Sequence, residues 1–424
     1  MVRLAPGTPL HVDLQEGAPG DALPLARLAM DRARVAQLEW TPGAIAVGKD
    51  IAPLSYPMEP GLHPARSREF DGLHGFLADS LPDAWGTLLL RRRLRRLGHD
   101  YDTLSAVDRL ALVGPRGRGA VVYRPASLSA EDAGGIDLDL LASESRAVLL
   151  GDESDLAGLL ERLGGGSGGA RPKLHVAFAA DGSIRAGDAA DDDGVDDSGG
   201  QWIVKFPSLP DAADIGPIEQ AYALMARAAG IEMAETRLIP SADGPGHFAT
   251  RRFDRPGAGR RVHMVSLGGA LEASPHMPSL DYDGFLRAVF AITRDVREVD
   301  KAFRRMVFNV LAVNRDDHAR QHAFLMDGGG GWTLSPAFDL TFSSGPGGEH
   351  YMAVDGEGRA ITLAHVQALG TRHGIKPERI DMIVAAVDAS VAGWREWAGN
   401  SGVERSPKVI AEALEARRAE FFGG

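Results

Sequence analysis

Apolar residues at helical spacing lead into a polar cluster in the last third of the chain. The residues of one helix face recur every three or four positions: Phe303, Met306, Val307, Val310 and Leu311. Two short apolar runs, 323–326 and 332–334, lie on either side of a glycine-rich turn and are typical of a β-hairpin. The pattern therefore predicts a buried helix, a polar loop at 314–321, and a hairpin that returns Asp339 toward Asp316.

Three further patterns predict elements elsewhere in the chain. Alternating apolar residues at 174–178 and an apolar run at 201–206 predict two strands. Apolar positions through 218–229 predict an amphipathic helix, and Ser406 with Pro407 marks the start of a final capped helix. Strands are thus expected mainly before the middle of the chain and helices after it.

These patterns divide the chain into three ranges. Residues 1–163 are expected to form an N-terminal α/β region, and 164–255 a lobe that begins with a run of glycines. Residues 256–424 are expected to form a mainly helical lobe, because helical patterns dominate from Asp281 onward. We find no internal repeat.

Composition fits a globular protein with a large core. The chain has 424 residues, 44% of them apolar, and no cysteine, which excludes disulfides and thiolate metal sites. It has no apolar run of about 18 residues and no signal-like leader, so we expect no membrane span and a cytoplasmic protein. With 46 basic and 58 acidic side chains the net charge is −12, which argues against a surface that binds nucleic acid as a whole.

Two stretches depart from that average charge. A basic run at 91–96, flanked by leucines, predicts an amphipathic helix whose arginines face solvent, and contact with DNA is the alternative. Residues 190–200 are acidic and rich in glycine, and they predict a surface loop without a chemical role.

The polar loop carries the residue types of a phosphoryl-transfer site. Such a site needs a carboxylate that orients the attacking hydroxyl and oxygen ligands that hold Mg²⁺ on the phosphates. Asp316 can serve as the carboxylate that orients the hydroxyl, and Gln321 and Asp339 can serve as the oxygen ligands of Mg²⁺. The spacing from Asp316 to Gln321 equals that from Asp to Asn in the protein-kinase catalytic loop. The alternative is a solvated loop with its own caps.

The glycine run could bind the phosphates of a nucleotide. Glycines at 164–169 permit the positive φ angles that turn successive N–H groups toward an anion, and Arg171 and Lys173 add positive charge. A flexible linker is the alternative, but the predicted strand at 174–178 follows at once. Lys205 lies in the next predicted strand, where a phosphate partner or an exposed strand edge would accommodate its charge.

The motifs, taken in order, resemble those of HipA-like serine/threonine kinases, the toxins of type II toxin–antitoxin modules. The matching stretches are 76–86, 168–173, 202–207, 252–255, 314–318 and 335–340. The resemblance spans nearly the whole chain. It implies an α+β fold, a bilobal kinase-like fold similar to the phosphatidylinositol kinases, with an α/β N-terminal part and a mainly helical C-terminal lobe.

The resemblance also implies a role for individual residues. Asp316 would be the catalytic Asp, Gln321 and Asp339 would be metal ligands, and His318 would lie in the catalytic loop. The ATP-binding residues would be Gly168, Gly169, Ala170, Arg171, Lys173, Lys205, Arg251, Arg252 and Phe253. The implied cofactors are ATP and Mg²⁺. The implied partners are a HipB-like antitoxin, operator DNA reached through it, and a protein substrate.

The sequence departs from the family pattern at two places. The family usually has Asn where this chain has Gln321, so the amide lies one methylene farther from the backbone and the metal geometry is expected to change. The family often has a self-phosphorylated Ser three residues before the second conserved Gly, but Gly166 stands there and Ser167 is displaced by one. We expect autophosphorylation to be absent or moved to Ser167.

The expected activity is transfer of the ATP γ-phosphate to a Ser or Thr hydroxyl of a protein. The family's targets include aminoacyl-tRNA synthetases, which implies inhibition of translation. Two other classes of function stay open. One is a metal-dependent phosphohydrolase that uses Asp316, Asp317, His318 and Asp339. The other is a non-catalytic corepressor that binds an antitoxin.

Overall fold

The computed structural model describes residues 3–4, 8–127, 137–152, 156–164, 171–179, 181–186, 199–257, 259–274 and 280–423. The chain divides into two compact units that interleave along the sequence. The first unit comprises Met1–Pro210, Ala249–Glu272 and Leu325–Gly331, and the second comprises Asp211–Phe248, Ala273–Phe324 and Trp332–Gly424. The predicted ranges 1–163, 164–255 and 256–424 remain a prediction.

The strands and helices alternate in the first half of the chain, and helices prevail in the second. The elements up to residue 210 are β1 (Leu10–Leu14), β2 (Leu23–Met30), β3 (Ala36–Trp40), α1 (Pro42–Val47), β4 (Leu62–Pro64), α2 (Gly75–Ala78), α3 (Ala84–Arg96), α4 (Ala106–Val113), β5 (Val121–Arg124), α5 (Leu138–Leu150), α6 (Ala157–Leu163), β6 (Lys173–Phe178), β7 (Ile184–Ala186) and β8 (Gln201–Lys205). The elements that follow are α7 (Ile215–Ala228), β9 (Thr236–Ile239), β10 (His247–Arg251), β11 (His263–Ser266), α8 (Leu267–Leu271), α9 (Tyr282–Thr293), α10 (Val296–Leu311), β12 (Ala323–Met326), β13 (Trp332–Leu334), α11 (Leu363–Arg372), α12 (Pro377–Ala392), α13 (Trp394–Ser401) and α14 (Pro407–Gly423).

The first unit opens with a five-stranded antiparallel sheet in the order β4-β3-β2-β1-β5. Apolar residues alternate along β3, where Ala36, Leu38 and Trp40 are buried, as expected for a strand with one covered face. Helix α3 comes between β4 and β5 in the sequence, and its buried side chains include Leu89 and Leu94.

The predicted basic helix at 91–96 is confirmed as part of α3, although its arginines do not all face solvent. Arg91, Arg95 and Arg96 are exposed. Arg92 donates to Val148 O and Asp152 O, at 2.6 Å each, and Arg93 is paired with the buried Glu161. Two of the five arginines therefore hold α3 against the segments that contain α5 and α6.

Strands β7, β6 and β8 form a second antiparallel group in the first unit. The strands predicted at 174–178 and 201–206 are confirmed by β6 and β8. Their register places Lys173 directly opposite Lys205, so the two side chains leave the same face of the sheet.

The second unit is built around helix α10, which packs against α9 and α12. The apolar face predicted at 303–311 is confirmed, because Phe303, Met306, Val307, Val310 and Leu311 are all fully buried. The predicted hairpin strands are confirmed as β12 and β13, and the final helix as α14. No helix in the described ranges is both long and apolar enough to cross a membrane.

Candidate active site

Helix α10 positions two chain segments that carry the predicted site. Beyond its C-terminal end, Val313 leads into the polar loop in a left-handed conformation, at φ 50°, which is unfavourable for a β-branched residue. Along its buried side, Glu298 accepts the N–H of Leu334 at 2.9 Å, and Arg305 donates to Ser335 O at 2.7 Å. One helix therefore fixes both the loop that contains Asp316 and the segment that leads to Asp339.

Arg305 makes this contact from a fully buried position. Burial lowers the pKa of its guanidinium to about 10, which still leaves the group charged at neutral pH. The charge is close enough to the neighbouring His322 to act on it. Burial and the charge of Arg305 lower the pKa of the His322 imidazole well below its usual value, so that His322 packs as a neutral ring against Phe285, with the ring centroids 4.2 Å apart.

Asp316 is the exposed carboxylate of the loop, with 47% of its side chain accessible. The ring of His318 lies beside it, and His318 Nε2 is 3.8 Å from Asp316 Oδ1. His318 Nδ1 accepts the N–H of Arg320 at 3.2 Å, so the proton of a neutral ring is on Nε2, the atom facing Asp316. This arrangement gives Asp316 access to solvent and places the His318 ring beside one of its oxygens, 3.8 Å away.

Gln321 and Asp339, the two predicted metal ligands, are in contact. Gln321 ends a turn of 3-10 helix, and its Nε2 donates to Asp339 Oδ2 at 2.8 Å. Asp339 has φ 57°, in the left-handed region that an Asp tolerates better than most residues. The backbone just before it is held by the hydrogen bond from Ala337 N to Glu232 O, at 2.7 Å. The structure therefore brings together two residues that lie 18 positions apart, on either side of the hairpin.

This pair fits a magnesium ion by its chemistry. Its donor set consists of carboxylate and amide oxygens, the hard ligands that Mg²⁺ prefers. Mg²⁺ is commonly held by one or two such protein ligands while water and substrate phosphates complete its octahedron. In the described part of the chain no group of three or more His, Cys, Asp or Glu side chains forms a metal cluster.

Asp317 points away from its neighbour and into the core. It is fully buried, and it accepts hydrogen bonds from Tyr282 Oη at 2.7 Å, His350 Nδ1 at 2.8 Å and Tyr351 N at 2.8 Å. Burial and the adjacent Asp317 carboxylate raise the pKa of Tyr282 well above its usual value, so Tyr282 remains a proton donor. The Asp317 carboxylate thus holds the polar loop against the buried side chains of Tyr282 and His350.

A chain of amides continues this buried network. Asn309 Nδ2 donates to Tyr282 Oη at 2.9 Å, and Asn314 Nδ2 donates to Asn309 Oδ1 at 2.9 Å. The sequence interpretation did not include Tyr282, Asn309 or His350. Asn309 could have indicated this network from the sequence, because it is an amide on the otherwise apolar face of a predicted helix. A polar side chain in such a position needs a buried hydrogen-bond partner.

The predicted nucleotide loop is described only at its ends. Gly168, Gly169 and Ala170 lie outside the described residues, as do Ser167 and most of the acidic stretch at 190–200. Lys173, the first residue of β6, is buried, and its Nζ lies 3.3 Å from Asp83 Oδ2. Arg171 precedes β6 in the described part of the chain, and Lys205 ends β8.

The predicted adenine-side residues begin at the end of β10. Arg251 is the last residue of that strand, and Phe253 is half-buried. Arg252 is buried, donates twice to Asp254 at 2.8 and 3.0 Å, and contacts His175 Nδ1 at 3.0 Å. Its guanidinium is therefore part of an internal ion pair.

Asp254 is the centre of that ion pair. It also accepts from Arg255 Nη1 at 2.9 Å and from the N–H of Gly119 at 3.0 Å. Burial alone would raise the pKa of the Asp254 carboxyl, but Arg252 and Arg255 hold the pKa well below its usual range. The Arg-Phe-Asp-Arg motif thus ties β10 to the N-terminal part of the first unit, a role that the motif itself does not reveal.

Comparison with known proteins extends these observations. The family model for the HipA-like C-terminal domain matches residues 165–394, and the model for the HipA N-terminal domain matches residues 21–124. A putative kinase of Sinorhizobium fredii, Y4dM, is 30% identical over 157 residues, which are 34% of this chain and 37% of the relative. The chain thus aligns with little more than a third of that relative.

One solved structure shares the fold of this chain over nearly its whole length. A chain in the complex of the Shewanella oneidensis MR-1 toxin–antitoxin system HipA, HipB and its operator DNA matches with a TM-score of 0.67 and 16% identity, over 98% of this chain and 97% of that chain. The Helicobacter pylori proinflammatory kinase CtkA matches 52% of this chain and 85% of its own with a TM-score of 0.37, which is too low to bear on the fold. The predicted α+β fold is confirmed.

Proposed function

The chain belongs to the HipA-like C-terminal domain family, and we propose that it is an ATP-dependent kinase that phosphorylates a Ser or Thr hydroxyl of a protein. The contact between Gln321 and Asp339 carries the proposal. It joins Gln321, at the end of the polar loop that contains Asp316, to Asp339, 18 positions later and beyond the hairpin, and both side chains carry oxygens that could bind a metal. A kinase needs such a pair for Mg²⁺, because phosphoryl transfer depends on positioning and charge stabilisation.

In this mechanism Asp316 orients the attacking hydroxyl and accepts its proton. Its exposure allows a protein hydroxyl to reach it, and His318 Nε2 faces one of its two oxygens. The buried contacts of Asp317 keep the loop rigid while the substrate binds. Asp339 and Gln321 would hold Mg²⁺, which neutralises phosphate charge when bound with ATP.

The binding of ATP is assigned to the first unit in the same proposal. Lys205 and the loop that precedes Lys173 would contact the phosphates, and Arg251, Arg252 and Phe253 would border the adenine. A lysine acts here as a compact positive charge on the phosphates. This assignment follows the family resemblance, and the strands that carry Lys173 and Lys205 support it.

The proposed partners follow from the same relatives. The Shewanella structure contains HipA with HipB and operator DNA, so we propose a HipB-like antitoxin that brings this chain to DNA. As a toxin, the protein would inhibit translation by phosphorylating a protein such as an aminoacyl-tRNA synthetase. We expect this to take place in the cytoplasm.

A non-catalytic corepressor is the second candidate. The observation that favours it is Gln321, since the family usually has Asn at this position and Mg²⁺ tolerates little distortion. A metal-dependent phosphohydrolase is less well supported, because Asp317, one of its expected ligands, is fully buried and already accepts three hydrogen bonds.

Purified protein incubated with γ-labelled ATP, Mg²⁺ and a bacterial extract separates these functions. We expect labelled protein bands that require Mg²⁺ and disappear with Asp316→Asn. Release of free phosphate alone would indicate a hydrolase. No turnover, with retained binding to an antitoxin, would indicate the corepressor.

A further inference from the structure

A cavity of about 590 Å³ lies within the second unit, where four helices meet. Its lining comes from α9, the start of α10, the end of α11 and the start of α12, and we call it the α9–α12 groove. Cavities that bind ligands have volumes of roughly 300–1,000 Å³. Val296, the first residue of α10, lines the groove, whereas the polar loop follows the other end of that helix, about 22 Å away. The groove is therefore a second site on this unit.

Two large apolar side chains are exposed in the groove. Phe290 is 46% and Val296 is 70% exposed. Val299 and Ile375 extend this apolar lining. A single exposed apolar side chain is common on protein surfaces, but two that line the same cavity are a sign of a binding surface. A partner that covers both removes apolar surface from water, which favours association.

Four permanently charged cations also line the groove, and three of them are already compensated. Each of the three arginines pairs with an aspartate of this chain: Arg287 with Asp283, Arg372 with Asp355, and Arg379 with Asp300. The fourth cation, Lys376, makes no ion pair with any residue that the structure describes. Four cations against three carboxylates leave a surplus of one positive charge, and it resides on Lys376.

Helix α12 adds positive potential at the same place. Lys376 is the N-cap of this 16-residue helix, and its side chain makes no capping hydrogen bond. The N-terminal end of a helix carries a partial positive charge and attracts carboxylates. One surplus charge matches a carboxylate better than a phosphate, which carries nearly two negative charges. It also does not match DNA, whose binding requires several cations that are free to pair with phosphates.

We propose that the α9–α12 groove is a docking site for a segment of a partner protein in which a large apolar side chain stands next to an Asp or Glu. The apolar side chain packs on Phe290 and Val296, and the carboxylate pairs with Lys376. The three paired arginines form the polar rim that protein interfaces usually have. This inference goes beyond the proposed phosphate transfer and does not depend on it.

A random peptide library displayed on phage, selected on the immobilised full-length protein, tests the proposal. We expect the enriched peptides to carry Asp or Glu beside Phe, Leu, Ile, Met or Trp. The same peptides, synthesised with a fluorescent label, give dissociation constants by fluorescence anisotropy. Phe290→Asp and Lys376→Glu should each raise the dissociation constant about tenfold or more, and Lys376→Arg should keep it near the wild-type value.

Met382→Asp is the matched control. Met382 is 61% exposed on the same helix α12, but it does not line the groove, so this variant should bind the peptides as tightly as wild type. All the changed side chains are exposed, and urea midpoints should therefore stay close to that of wild type.

Three results would overturn the inference. The first is a selection that enriches no acidic and apolar peptides, or peptides that bind Phe290→Asp as tightly as wild type. The second is displacement of the labelled peptides by duplex DNA, which would assign the groove to nucleic acid. The third is a wild-type protein that sediments as a dimer while Phe290→Asp sediments as a monomer, which would assign the groove to a second copy of this chain. The proposed phosphate transfer is unaffected by all three.

Discussion

Tyr282→Phe isolates the buried network beneath the candidate catalytic loop. The substitution removes one hydroxyl, which donates to Asp317 Oδ2 at 2.7 Å and accepts from Asn309 Nδ2 at 2.9 Å. A hydrogen bond to a charged acceptor contributes about 1.5–3 kcal/mol, and an unpaired buried donor costs about 1–3 kcal/mol. We therefore expect Tyr282→Phe to lower the free energy of unfolding by about 3 kcal/mol.

Tyr222→Phe is the matched control. Tyr222 is also fully buried in the second unit, but its hydroxyl donates to a neutral acceptor, Ala312 O, at 2.7 Å. A neutral hydrogen bond contributes about 1 kcal/mol, so the control should lose about 2 kcal/mol less than Tyr282→Phe. The two variants remove the same atom from equally buried rings, and only the charge of the acceptor and the second partner differ.

Urea unfolding, followed by tryptophan fluorescence and circular dichroism at neutral pH, measures both free energies under one buffer condition. Phosphate transfer by the same preparations adds a second readout. Tyr282→Phe should reduce kcat about tenfold, because a loosened loop misplaces Asp316, whereas Tyr222→Phe should retain kcat. Equal losses of stability in the two variants, or a Tyr282→Phe protein as stable as wild type, would refute the reasoning.

Three further outcomes are expected. Asp339→Asn should abolish phosphate transfer and the Mg²⁺-dependent part of ATP binding in a folded protein, as measured by calorimetry with and without Mg²⁺. Gln321→Asn should keep or raise the turnover number, and a large loss would show that the site requires the longer amide. Burial lowers the pKa values of His74 and His263 to about 4, so the unfolded chain binds more protons than the folded chain between about pH 4 and 6.5. The contribution of these residues to stability should therefore be complete above that range and about 2 kcal/mol per histidine lower at pH 5. Urea midpoints measured at pH 7.5 and 5.0 should differ less in His74→Gln and in His263→Gln than in the wild-type protein.

Local patterns were sufficient for the elements around the site. The apolar face of α10 and the two strands of the hairpin follow from periodicity and turn residues, which act over a few positions. The contact between Gln321 and Asp339 was within reach of the same reasoning, because a hairpin returns the chain to where it started.

Contacts between distant segments were not predictable in the same way. Asp316 and Asp317 are adjacent acids, yet one is half-exposed and the other is buried among His350, Tyr351 and Tyr282. Periodicity does not reveal which of the two carboxylates is buried, because that depends on where the hydrogen-bond partners lie after folding. The pairing of Lys173 with Asp83, across 90 residues, has the same origin.

The most direct test of the account compares wild-type protein with Asp316→Asn in single-turnover phosphate transfer from saturating ATP and Mg²⁺, with ATP affinity measured on the same samples. Removal of a general base typically costs about 10²- to 10⁴-fold in rate, so we expect a loss of that size with unchanged ATP affinity. A variant that transfers phosphate at the wild-type rate would contradict the assignment of Asp316, and with it the proposed kinase site.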